Sequence, residues 1–185
     1  IKTATVFSMN SLIGNDSRYN HAFAGGTITH TFLDVGDYHR YHFPLSGIVK
    51  EVRVISATNT AGGYVTWDAK GKRYVFNPGG VGWQTIETRG CIILETDKYG
   101  LVALLPIGMS PVSSINFSAD IKQGTQVKKG REMGSFMFGG SDFVMVFQKQ
   151  VNFILDSPKE AGSDLFKRLL MGERYGKLVL LATPK

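Results

Sequence analysis

The chain has 185 residues, a net charge of +6 and an apolar fraction of 43%. This length and composition suit one globular domain with its own core and argue against a disordered chain. No apolar run is long enough to span a bilayer, no signal peptide is recognisable, and a single cysteine excludes an internal disulfide. Because the chain begins at Ile1 rather than Met, we expect a fragment or a processed chain that lacks an upstream N-terminal region.

The predicted elements begin with one or two short helical turns within residues 8–23, ending near Gly25 and Gly26. Six segments rich in β-branched and aromatic residues then predict strands, at 49–56, 64–67, 73–76, 90–96, 100–108 and 143–147. Turn clusters rich in Gly, Asn, Asp and Lys separate them. The single cysteine, Cys91, is expected to be a buried small side chain in one of these strands.

A helix is predicted over residues 158–171, where Ser157, Pro158 and Glu160 give start signals, and a last strand over 177–182. The spacing of strands and turns predicts a mainly β (α+β) fold. We expect antiparallel sheets in a sandwich or barrel-like arrangement with one or two short helices. No internal boundary divides the chain, so we expect one domain over 1–185.

Basic residues gather at 70–73, 122–131 and 166–170. The favoured interpretation is a set of solvated loops and edge strands, and the alternative is attraction to an anionic partner such as an acidic lipid surface. Nucleic acid is not expected as a partner, because aromatic residues are not interleaved with these charges.

Two histidines stand close together in DVGDYHRYHFPLSG, residues 34–47. Pro44 and the β-rich surroundings favour a strand, on which the odd spacing of His39 and His42 places their rings on opposite faces. We therefore predict no metal site held by both. Separate chemical roles fit the pair, and a structural, hydrogen-bonded pair is the alternative.

The stretch FMFGGSDFVMVF, residues 136–147, is a strand pattern interrupted by two glycines. By itself Gly-Gly-Ser-Asp is ordinary turn chemistry. Together with the histidine segment, GLVALLPIGMSPVSSI and VKKGREMGSFMFGGS, it resembles the phosphatidylserine decarboxylase family in order and spacing, over most of residues 1–155. The resemblance implies a carboxy-lyase made as a zymogen, with self-cleavage between Gly140 and Ser141. Residues 1–140 would form a β chain and 141–185 an α chain, held together without a covalent bond.

The same resemblance implies the chemistry of the site. The Ser141 hydroxyl attacks the carbonyl of Gly140, and elimination of the resulting ester leads to a covalent pyruvoyl group, the cofactor that forms a Schiff base with the substrate amine. His42 matches the processing base, and His39 matches a position that contacts the substrate carboxylate. Phe136 and Phe138 are expected to line the substrate site by their position.

The sequence departs from the family pattern in three places. The aspartate of the Asp-His-Ser processing triad finds no match here, since Asp34 and Asp37 lie at other positions. Asp142 stands where Ser or Thr is common, and we expect its carboxylate to face solvent. IGMSPVSSI, residues 107–115, resembles the soluble branch of the family, which decarboxylates free amino acids, including aromatic ones.

The last of these departures, together with the lack of an amphipathic membrane helix in these residues, slightly favours a free amino acid as substrate. The first alternative is phosphatidylserine, decarboxylated to phosphatidylethanolamine at a membrane, which would place the protein in phospholipid metabolism. The second is a non-catalytic biotinyl or lipoyl-like carrier, which would need a lysine at the turn where the chain has serine. An intracellular location, cytoplasmic or membrane-peripheral, is expected from the unpaired cysteine, and both membrane contact and a homodimer stay open.

Overall fold

A computed structural model describes residues 8–34, 36–57, 64–77, 83–109, 114–137, 141–156 and 169–182 of the chain. Antiparallel strands make up about half of these residues and helices are few and short, which confirms the mainly β prediction. In chain order the strands are β1 Thr27–Leu33, β2 Arg40–His42, β3 Gly47–Ile55, β4 Tyr64–Asp68, β5 Arg73–Asn77, β6 Arg89–Thr96, β7 Gly100–Gly108, β8 Ile115–Phe117, β9 Gln126–Val127, β10 Glu132–Phe136, β11 Ser141–Phe147, β12 Val151–Leu155 and β13 Gly176–Leu180.

Two sheets face each other and enclose the main core. The larger sheet has six strands in the order β1-β11-β7-β6-β3-β9, and the smaller has three in the order β2-β10-β8. The pairs β4-β5 and β12-β13 form separate two-stranded sheets. Strand β11 lies inside the larger sheet, between β1 and β7, so both of its backbone edges are hydrogen-bonded.

The central strands of the larger sheet, β6, β7 and β11, are buried on both faces, which fits the continuous apolar run of β7. On β7, Val102 and Leu104 contribute to the core that also contains residues of β2, β8 and β10. Ala103 and Leu105 point to the other face, where they pack with Leu12, Ile13 and Phe23. Strand alternation therefore divides the interior into two cores, one on each side of the sheet.

The second core is closed by short helical turns near the start of the described chain, which confirms the prediction for residues 8–23. Helix α1 spans Met9–Ile13, and a 3-10 helix spans Asn20–Phe23. The Ser8 hydroxyl caps α1 by accepting from the N–H groups of Asn10 and Ser11, at 3.1 and 3.4 Å. The buried Arg89 of β6 donates to the carbonyls of Leu12 and Ser11 at the other end of α1.

Each predicted strand is present, and the boundaries differ by a few residues. Cys91 is fully buried in β6, as expected, and burial raises the pKa of its thiol to about 12. The predicted helix falls mostly on residues 157–168, outside the described part, while Leu169 and Leu170 are irregular. Among the described residues, no helix is long and apolar enough to cross a membrane.

The smaller sheet depends on a close approach at Gly134 of β10. A Cβ atom there would lie 1.9 Å from the carbonyl oxygen of Asn116 and 2.7 Å from the ring of Tyr41. Only glycine lets β10 lie this close to β8 and to the buried Tyr41. This contact sets how closely β10 packs against β8 and Tyr41 in the smaller sheet.

Candidate active site

The predicted cleavage serine lies where the chain passes from one sheet to the other. Strand β10 ends in the smaller sheet at Phe136, and β11 begins in the larger sheet at Ser141. Ser141 is paired with Leu33 of β1 and with Gly108 of β7, and it is fully buried. Ser141, the first residue of β11, is therefore already paired with a neighbouring strand on each side.

The Ser141 side chain meets His39. Its Oγ lies 3.3 Å from Nδ1 of His39, a residue 102 positions earlier in the chain. His39 immediately precedes β2, and its carbonyl accepts from the N–H of Phe136 at 3.0 Å. This bond places His39 beside the end of β10, and strand alternation turns it inward with the buried Tyr41. The fold thus brings a buried hydroxyl within reach of an imidazole, the pairing that activates a nucleophile.

His42 lies on the other face of β2. Its Nδ1 is 2.9 Å from the carbonyl oxygen of Gly130, and its Nε2 is 2.9 Å from the hydroxyl of Tyr38. Since a carbonyl can only accept, Nδ1 carries the hydrogen, and in the neutral ring Nε2 accepts from Tyr38. Tyr38 also stacks on the ring at a centroid distance of 5.8 Å. His39 and His42 thus have separate partners, as their odd spacing predicts.

Aromatic side chains surround His39 on the core side. Phe136 is 4% exposed and meets the His39 ring edge to face, with the ring centroids 6.5 Å apart. Tyr41 packs against Phe136 at 4.9 Å and donates from its hydroxyl to the carbonyl of Asn116 at 2.7 Å. Burial raises the pKa of Tyr41 above the ordinary phenol range, so this hydroxyl stays protonated. The predicted residues Phe138 and Gly140 lie outside the described part of the chain.

The expectation that Asp142 faces solvent is wrong. Asp142 is fully buried, and its Oδ2 lies 2.6 Å from Nε2 of His30 on β1. The side-chain amide of Gln84 lies 3.5 Å from the same oxygen, while Oδ1 has no hydrogen-bond partner among the residues that the structure describes. Gly-Gly-Ser-Asp by itself indicates a turn, whereas Asp142 is already the second residue of an interior strand, and its carboxylate is buried for that reason.

His30 is the site-adjacent residue that sequence reasoning missed. Burial lowers its pKa, but the hydrogen bond and charge of Asp142 outweigh this and leave the pKa of His30 raised. For Asp142, burial raises the pKa, and His30 works against that effect only in part. The available signal was the alternation in ITHTF, which places His30 and Phe32 on one face of a strand.

The residues present fit a pyruvoyl precursor. Such a group needs a hydroxyl on Cβ, a nearby proton acceptor and protection from water, and Ser141 with His39 and Phe136 supplies all three. Metal ligation has no comparable basis in the described ranges. No group of three or more His, Cys, Asp or Glu side chains there could hold an ion.

Comparison with known proteins gives a consistent result. The family model described as phosphatidylserine decarboxylase matches residues 1–177. The chain is 30% identical to "Decarboxylase iboD" of Amanita muscaria, over 78% of the chain and 44% of that protein. It is 32% identical to a "Phosphatidylserine decarboxylase proenzyme" of Fusobacterium nucleatum (88% of the chain, 50% of that protein). It is 33% identical to one of Chlamydia trachomatis (92% and 53%). The chain thus spans about half the length of the curated relatives it matches.

Unfolding at different pH values tests the charge of the His30–Asp142 pair. Both pKa values are raised in the folded protein, which therefore binds protons more tightly than the unfolded chain, and its free energy of unfolding should fall as pH rises. The stability that the protonated His30 contributes is fully present below pH 6.5, its ordinary pKa. It is lost as pH rises through the raised pKa of His30 in the folded protein. We expect urea unfolding of the parent to show this loss and His30→Gln to lack it.

His21→Gln is the matched control, because His21 is an exposed histidine outside this pair. In His21→Gln the free energy of unfolding should depend on pH with the same slope as in the parent. An unchanged slope in His30→Gln would contradict the charge state assigned to the pair.

Proposed function

Because the chain belongs to the phosphatidylserine decarboxylase family, we propose that it is a pyruvoyl-dependent decarboxylase that processes itself between Gly140 and Ser141. The supporting observation is the buried Ser141 hydroxyl, 3.3 Å from the imidazole of His39, at the position where the family pattern places the scissile bond. A biotinyl or lipoyl carrier would need an accessible lysine at this turn. A fully buried serine favours the enzyme instead.

Processing begins when a base takes the proton of the Ser141 hydroxyl and Oγ attacks the carbonyl carbon of Gly140. The peptide C–N bond breaks, its nitrogen takes up a proton, and an ester joins the two residues. Removal of the Ser141 α-hydrogen then expels the Gly140 carboxylate and leaves dehydroalanine, which takes up water and releases ammonia to give the ketone. Both deprotonations need a base close to residue 141.

We assign the first deprotonation to His39, because geometry is the first requirement for a general base. Nδ1 of His39 is the imidazole nitrogen that contacts the Ser141 hydroxyl. Family resemblance favours His42, whose two ring nitrogens are held by Gly130 and Tyr38 in this structure. Under our assignment His42 acts as a positioning residue, which fixes β2 against the turn before β10 and so fixes His39.

In the mature protein the pyruvoyl ketone supplies an electron sink for loss of an α-carboxylate from an amine-bound substrate. The chain's own residues provide the surroundings. Phe136 and Tyr41 exclude water on the core side of His39, which strengthens any charge interaction made there. His39 faces the same space and is placed to contact a substrate carboxylate or to move a proton.

For the substrate we propose a free L-amino acid, of the aromatic class, because residues 107–115 resemble the soluble branch of the family. Phosphatidylserine is the second candidate, since the bacterial relatives carry its name. Either substrate presents the same amine and carboxylate to residue 141. We propose an intracellular location, cytoplasmic or at a membrane surface, for either reaction.

Replacing Ser141 tests the scissile bond. Ser141→Ala removes the only Cβ oxygen at this position, so neither the ester nor the ketone can form, and one uncut chain should appear on a denaturing gel. The parent should give two pieces, with a carbonyl that hydrazine reagents label on the piece beginning at residue 141. Ser135→Ala is the control, because this serine lies in β10 before the site and should not affect cleavage. Two pieces from Ser141→Ala would refute the proposal.

Replacing each histidine in turn separates their roles. His39→Ala removes the imidazole at the Ser141 hydroxyl, and we expect cleavage to slow by about a hundredfold or more, within the range for loss of a general base. His42→Asn keeps an amide N–H close to the position of Nδ1, so it can still donate to the carbonyl of Gly130 and should cleave at nearly the parental rate. Time courses on denaturing gels measure both. Fast cleavage in His39→Ala with an uncut His42→Asn would transfer the base role to His42.

The substrate is tested by carbon dioxide release. We expect the processed protein to decarboxylate a member of an L-amino acid panel and to leave phosphatidylserine in detergent micelles unchanged. Borohydride reduction with each amine, followed by denatured mass measurement, should add the mass of the same amine less one oxygen to the piece beginning at residue 141, because the Schiff base forms with loss of water and then gains two hydrogens. Turnover of phosphatidylserine alone would establish the second candidate, and the Ser141→Ala protein serves as the blank.

A further inference from the structure

A polar pair, of which Asp142 is buried and His30 is partly exposed, lies directly behind the reacting residue. His30 Nε2 and Asp142 Oδ2 are 2.6 Å apart, with side-chain exposures of 38% and 1%. In the β1–β11 register His30 is opposite Val144 and Asp142 is opposite Phe32. The two side chains are thus diagonal neighbours on one face of the sheet, where long side chains can reach each other.

The pair lies on the opposite face from the chemistry. Along β11 the side chain of Ser141 points the same way as Met145, toward the core between the two sheets. The side chain of Asp142 points the same way as Val144, toward the second core. Asp142 therefore does not contact the Ser141 hydroxyl or His39, and any effect on the reaction passes through the backbone that the two neighbours share.

Burying this carboxylate is unfavourable unless it is paired. His30 satisfies one oxygen and Gln84 approaches that same oxygen, while the other oxygen has no hydrogen-bond partner within the described part of the chain. The contact to His30 is therefore the main compensation for a buried charge at residue 142. Displacing Asp142 from β1 would lose that compensation, so the pair resists movement of the strand at this point.

We propose that the His30–Asp142 pair is a positioning pair that holds the start of β11 against β1, so that residue 141 keeps its place once the bond before it is cut. The inference rests on the proposed function. In the uncut chain, residue 141 is held from both directions along the backbone. After cleavage residue 141 is a chain end, and Asp142 is the first residue whose side chain can hold it.

The test compares His30→Ala, Asp142→Ala and the double variant with the conservative variants Asp142→Asn and His30→Gln. The Asn carbonyl can still accept from His30, and the Gln amide can still donate to Asp142, so both should behave like the parent. Lys50→Ala is the matched control, because it breaks an exposed pair with Glu95 in the same sheet, at 3.1 Å.

We expect all variants to cleave, because in the uncut chain the backbone before and after residue 141 keeps it in place without the pair. In the mature alanine variants the ketone should react several-fold faster with phenylhydrazine, a readout independent of turnover. Their kcat should fall by about tenfold to a hundredfold, the cost of a small misplacement of a reacting group. The double variant should be no worse than either single one, since the two residues act as a unit.

Parental phenylhydrazine rates in both alanine variants would overturn the proposal, as would additive losses in the double variant. If an alanine variant fails to fold, the two conservative variants still test the idea, because loss of kcat in Asp142→Asn with a parental fold would also overturn it. Failure of the proposed function would be distinguishable from failure of this inference. In that case the parent protein itself would stay uncut and carry no ketone.

Discussion

The contact between Ser141 and His39 depends on how two sheets are joined. His39 reaches the serine because β2 pairs with β10 in one sheet, while Ser141 opens β11 in the other. Only four residues, 137–140, link the end of β10 to the start of β11. The two facing sheets thus bring together residues about a hundred positions apart, and the buried core between them keeps water away from that meeting point.

The sequence predicts the local features of this arrangement well. The run GLVALLPIG is apolar at every position but its glycines, and it becomes β7, a strand buried on both faces. The short helical turns predicted within residues 8–23 are present in the second core. The spacing of His39 and His42 predicts that their rings have different partners. Each of these inferences needs only neighbouring residues and the period of a strand or a helix.

The features that the sequence does not predict depend on long-range register. Nothing near Asp142 indicates that its carboxylate is buried, because the burial comes from pairing with β1, more than a hundred residues earlier. His30 was missed for the same reason, since its strand mixes Thr and His with apolar residues and was not assigned as a strand. Which of the two histidines contacts Ser141 likewise depends on which face of β2 turns inward. Residue propensities and sequence motifs predict which segments form strands or helices. Which side chains contact each other is decided by how the strands pair.

The interior position of β11 affects how a cut chain would behave when heated. The piece beginning at residue 141 would contribute the second strand of a six-stranded sheet, hydrogen-bonded along both edges. It could not leave without opening the larger sheet, so the two pieces would separate only by unfolding. Once apart, they would have to find each other again by diffusion. Heat inactivation of such a protein would be irreversible in practice, and its lifetime would be set by an unfolding rate instead of an equilibrium.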